Sequence, residues 1–127
     1  ELPENLREEF HRGIEQFNRK EFFDCHETLE DVWRDYLATD RELIQGIIQI
    51  AVAYYHLGRD NPLGASKLFK RALPRVKKYG GSHFGIELYN FVAKIEEDSS
   101  QLENRKNVRG LTFHIPIIKF IGPLDDC

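Results

Sequence analysis

Fifteen uncharged residues, Leu43 to Leu57 (LIQGIIQIAVAYYHL), interrupt a chain whose apolar positions otherwise recur every three or four residues. At about 100° per residue this run is apolar around most of its circumference, and it is too short to span a bilayer. It therefore predicts a central helix buried on nearly every side. Its polar members Gln45, Gln49 and His56 are spaced four and seven residues apart, which places them on one stripe. A buried amide or imidazole without a partner costs about 1–3 kcal/mol, so that stripe needs a polar counterpart elsewhere.

The flanking patterns supply the other elements. Leu6, Phe10, Ile14 and Phe17 predict a first helix over Pro3–Phe17, with proline tolerated at its start. Asn18 with Glu21 reads as an N-cap for a second helix running to about Leu37, whose inward arc holds Phe22, Cys25, Leu29, Val32, Trp33, Tyr36 and Leu37. His26 and Glu30 fall inside that arc, one turn apart. Thr39 with Glu42 forms a second capping signal before the central helix, which is expected to end near Gly58. Asn61-Pro62 opens a fourth helix carrying Ala65, Leu68, Phe69 and Ala72, and Pro74 should kink or end it.

Gly80-Gly81 breaks the pattern, and Ser82 is expected to cap a fifth helix bearing Phe84, Leu88, Phe91, Val92 and Ile95. Glu96, Glu97 and Asp98 oppose the dipole at its end, where fraying is expected. Residues 99–110 read as a polar linker. The tail LTFHIPIIKFIGPL is rich in β-branched and aromatic residues, yet Pro116 and Pro123 oppose a central strand, so an extended segment lying across the bundle is expected. The fold expected is all-α: a single-domain bundle of about five helices in antiparallel hairpins over residues 1–98, with a linker and packed tail over 99–127. The hairpins are similar in architecture to tetratricopeptide pairs, but no period of about 34 residues emerges.

Composition narrows the functions. With 127 residues, net charge −3 and 31% charged residues, the chain is expected to be one globular domain with no bulk attraction to nucleic acid or membrane. No secretory, lipidation or transmembrane signal is present, so a cytoplasmic location is expected. Lys67, Lys70, Arg71, Arg75, Lys77 and Lys78 form a basic stretch, read as a solvated face in preference to a phosphate-binding one because no aromatic residues are interleaved. Cys25 reads as a small core residue; pairing with His26 as a reactive thiol is disfavoured, since adjacent helical side chains diverge. Cys127 ends the chain.

The combination Gly13, Phe17-Asn18, Phe22-Phe23, His26-Glu27, Glu30, Trp33-Arg34, Gln45-Gly46, Gln49, Ala51, His56, Asn61, Gly64 and Ala65 resembles the small all-helical domain of unknown function 309 family. The resemblance covers about residues 6 to 73. Such proteins are often labelled predicted metal-dependent hydrolases, and the resemblance implies a helical fold and, as an activity to be weighed, metal-dependent hydrolysis.

Three readings of the polar residues stand side by side. His26 and Glu30, one turn apart, are the candidate ligands of a divalent metal, although a catalytic zinc takes three protein ligands and His56 or another acid would have to complete the set. Alternatively His26, Glu30, Gln45, Gln49 and His56 form a buried polar network that fixes helix packing. A small-ligand pocket is the third. The preferred reading is a helical scaffold or interaction module, with a metal-dependent hydrolase as the alternative. The partner expected is a protein or a small ligand, and self-association stays open.

Overall fold

The computed structural model describes residues 2–122; Cys127 and Pro123 lie outside them. Five helices account for most of the chain: α1 (Glu4–Asn18), α2 (Phe22–Asp35), α3 (Arg41–Gly58), α4 (Pro62–Lys77) and α5 (Tyr89–Ser100). Between α4 and α5 sits a two-residue hairpin, β1 (Ser82–His83) and β2 (Ile86–Glu87), paired antiparallel. The all-α bundle expected from the periodicity is therefore present, with α3 at its centre.

α3 buries Leu43, Ile44, Ile47, Ile48, Ile50, Ala51, Ala53, Tyr54 and Leu57, and it packs against α2 on one side and α4 on the other. Successive short turns make each neighbouring pair antiparallel. An aromatic cluster ties all five helices together. Phe17 of α1 meets Phe22 of α2 at 5.2 Å, Tyr54 of α3 at 6.1 Å and Phe91 of α5 at 5.7 Å, while Tyr54 meets Phe69 of α4 at 5.1 Å. Their edge-to-face geometry adds to the area they bury.

Two glycines mark where helices approach most closely. A Cβ on Gly13 would lie 2.5 Å from Leu29 Cδ2, so α1 and α2 could not cross there with any side chain. A Cβ on Gly46 would lie 2.8 Å from Val76 Cγ2, and the α3–α4 crossing depends on it in the same way.

Several local expectations are corrected. Asn18 does not cap α2. It ends α1, and its side-chain amide donates to Ile118 O (2.9 Å) and accepts from Ile118 N (2.7 Å), holding the tail instead. The Thr39–Glu42 capping pair is not made, because Glu42 is drawn to Arg75 and Lys78 of α4. Gly58 is the last residue of α3, and the left-handed turn position falls on Asp60 (φ 57°). Asn61 does cap α4, accepting from Gly64 N at 3.0 Å. α4 runs through Pro74 to Lys77, since the carbonyl that proline leaves unbonded belongs to exposed Lys70 near the helix end.

Ser82 caps nothing. The hairpin takes its place, turning through Phe84 (φ 53°) and Gly85 (φ 75°). Two successive positive φ values define the inverted turn whose twist suits a hairpin, and the phenylalanine is held in it by packing on Phe10 (5.7 Å) and Tyr36 (5.8 Å). Asp98, expected at a frayed end, is wholly buried: it accepts from Tyr54 Oη (2.7 Å) and from the tail's His114 N (2.9 Å). The tail lies extended against the bundle, burying Pro116 and Ile118, and bridges the hairpin at Phe120–Ile86.

Candidate functional site

α2 buries Phe22, Cys25, Thr28, Leu29 and Val32 along one face. His26 and Glu30 occupy the next stripe, about 100° round the helix, with side chains 24% and 52% exposed. They are therefore a surface pair and not the inward pair that the pattern suggested. His26 Nδ1 donates to Phe23 O at 3.3 Å, and its Nε2 lies 3.4 Å from Glu30 Oε2. Phe23 itself, 49% exposed, sits with its ring 5.4 Å from His26 and 5.7 Å from Tyr55 of α3.

The α3 stripe is drawn the other way. Gln45 Oε1 accepts from Arg75 Nη1 of α4 at 3.3 Å, and the same nitrogen lies 3.4 Å from Glu42 Oε2. Glu42 Oε1 accepts from Lys78 Nζ at 2.8 Å. His56 Nδ1 accepts from Asn61 Nδ2 at 3.3 Å and so belongs to the α3–α4 turn. No hydrogen bond joins His26 or Glu30 to Gln45, Gln49 or His56, so the single network anticipated across α2 and α3 is not formed.

What spans these helices is a different set. Arg41, at the start of α3, lays its guanidinium 4.1 Å from the centre of the Trp33 ring and donates to Trp33 O at 3.1 Å. One turn further along α3 comes Gln45 with Arg75, and one turn beyond it Gln49. On these three helices three buried polar atoms have no hydrogen-bond partner among the described residues: Trp33 Nε1 on α2, Gln49 Oε1 on α3 and Arg75 Nε on α4. Buried polar groups are nearly always paired, so an orphan on each of three adjacent helices is unusual. Arg41 and Arg75 went unnoticed in the sequence, Arg75 because it reads as one more member of a basic run. Its signal was position: it faces acidic Glu42 across the helix pair.

That basic run is half neutralised, by Arg75 and Lys78 on Glu42 and by Lys77 on Glu96 of α5. Cys25 is buried, and burial pushes its thiol up to about 12, which suits a core residue and not a nucleophile.

A second polar cluster closes the α2–α3 turn. Asp40 accepts from Tyr36 Oη at 2.7 Å and pairs with His83 Nε2 of β1 at 2.9 Å. Burial works to raise the Asp40 carboxyl, but the hydrogen bonds from His83 and Tyr36 outweigh it and hold the group below the usual carboxylate range. Burial, helped by Asp40, pushes Tyr36 up to about 12.

Two donor groups, His26 and Glu30, fall short of the three protein ligands that a catalytic zinc takes, and among the described residues no His, Cys, Asp or Glu joins them in a group of three. The residues present do not fit a catalytic zinc site. Among the described residues no helix is long and apolar enough to cross a membrane. A cleft of about 400 Å³ opens between α5 and the tail, away from all five candidate residues.

Fold and polar strip together define a small all-helical domain built from antiparallel hairpins. Residues 10–68 match the family model described as Domain of unknown function (DUF309). The chain is also similar to the "Uncharacterized protein YpuF" of Bacillus subtilis (strain 168), at 36% identity over 61 residues, 47% of this chain and 35% of the relative. It thus spans about a third of that relative's length.

Proposed function

We propose that the chain is an interaction module whose α2–α3–α4 strip, which carries Trp33, Gln49 and Arg75, binds a polar partner. The observation that carries this reading is the orphaned trio Trp33 Nε1, Gln49 Oε1 and Arg75 Nε. A fold selected for stability alone would pair or replace them, because each orphan costs about 1–3 kcal/mol. Unpaired buried polar groups on three adjacent helices support a use beyond packing. Gln49→Leu is expected to leave stability unchanged or to raise it by about 1 kcal/mol in denaturant melts, while abolishing capture of a partner that the wild-type chain retains. A loss of stability in Gln49→Leu would mean that the amide serves packing and would refute the reading.

A second reading is favoured by one contact. With Nδ1–H given to Phe23 O, a neutral His26 turns the lone pair of Nε2 toward the Glu30 carboxylate. Two lone pairs 3.4 Å apart, one on an imidazole and one on a carboxylate, are spaced so that a divalent metal ion can bridge them. If a metal serves there, zinc or manganese raises the melting temperature of the wild-type chain and not of His26→Ala. Equal melting temperatures with and without metal would dismiss it.

A further inference from the structure

The tail is held chiefly through its main chain. Asn18 uses both ends of its amide on the N–H and C=O of one residue, Ile118 (2.7 and 2.9 Å). Glu87 N donates to Lys119 O at 2.9 Å and Ile121 N to Gly85 O at 2.8 Å, so the tail adds itself to the edge of the hairpin. Asp98 spends one oxygen on His114 N, and Gln101 Nε2 donates to Thr112 O at 2.9 Å. Side chains enter alternately: Pro116 and Ile118 are buried, while Ile117 and Lys119 point outward. Main-chain bonds along an edge with pockets for alternate side chains are the mode by which domains bind extended peptides.

Three features separate this groove from ordinary packing. Asp98 is wholly buried beneath the tail, and its Oδ1 accepts from a main-chain N–H there, a bond that any extended segment can offer. The occupant leaves Ile117, Phe120 and Ile121 at 60%, 40% and 49% exposure, apolar surface that a second chain can cover. The hairpin, α5 and the tail lie outside the segment that matches the family model, whereas Asn18, which clamps Ile118, lies inside it.

We propose that the groove bounded by α1, α5 and β2 is a peptide-docking groove, filled in cis by residues 113–121 and open in trans to the same segment of a second copy. The resident tail acts as a tethered ligand, and its high local concentration keeps the groove filled until many copies are brought together. This surface is distinct from the α2–α3–α4 strip.

A fluorescein-labelled peptide of residues 111–122, titrated into the full chain by anisotropy, tests the proposal. Full-length Ile118→Glu, whose own tail cannot seat, is expected to bind the peptide at least tenfold more tightly than the wild-type chain. Adding Asn18→Ala to that variant should weaken binding at least tenfold. Should Ile118→Glu fail to fold, Ile118→Ala, which removes the anchor without burying a charge, takes its place with the same expectation. Absence of saturable binding to the opened chain, or binding equal in the wild-type chain and indifferent to Asn18, would overturn the proposal.

Discussion

Single residues decide where these helices can meet. A methyl group on Gly13 would collide with Leu29, which is wholly buried and cannot swing aside, so Gly13→Ala is expected to destabilise the fold by about 1–3 kcal/mol in denaturant melts with an unchanged m-value. The sequence displayed Gly13 and Gly46 as members of a pattern, but close approach is a property of two helices and cannot be read from one. The misplacement of His26 and Glu30 has a similar origin. Trp33 and Leu37 are large and apolar, and counting them as inward widened the apparent apolar arc of α2 until it swallowed the neighbouring stripe. In the structure Leu37 is 78% exposed, and Phe22, Cys25, Thr28, Leu29 and Val32 mark the buried line of α2.

At the level of elements, helix existence was legible because amphipathic spacing is a local signal, and α3 was legible because it lacks charge altogether. The hairpin was not. Its strands are two residues each, and its turn places a phenylalanine where Asn or Gly is usual, so no turn signature was present. Nor could the role of Asp98 be read from its neighbours Glu96 and Glu97, since its partners lie in α3 and the tail. Tyr54 and Asp98 now define how α3, α5 and the tail are joined. Tyr54→Phe keeps the ring packing and removes only the hydroxyl, leaving Asp98 Oδ2 unpaired; a loss of about 1–3 kcal/mol is expected, with faster amide exchange at His114.

The whole molecule carries its pH response at both limits. Asp40 titrates lower in the folded than in the unfolded chain, so its contribution is present above the ordinary aspartate range and disappears as pH falls through the folded value. Tyr36 and Cys25 titrate higher when folded, both near 12, so their contributions are full below their ordinary values and disappear as pH rises toward 12. Melting temperatures measured across pH are expected to decline on both sides of neutrality, and Asp40→Asn is expected to flatten the acid limb and to weaken the Tyr36 share of the alkaline limb while leaving the Cys25 share in place. A wild-type acid limb that survives the substitution would assign it to other carboxylates.

The left-handed Phe84 in the hairpin turn has a consequence for synthesis. Such a turn does not hold its shape alone; the rings of Phe10 and Tyr36 must already stand where α1 and α2 bring them. Phe120 can bridge to Ile86 only after that. The four leading helices can thus assemble before residues 111–122 are translated, and that later stretch of chain finds its resting place already built.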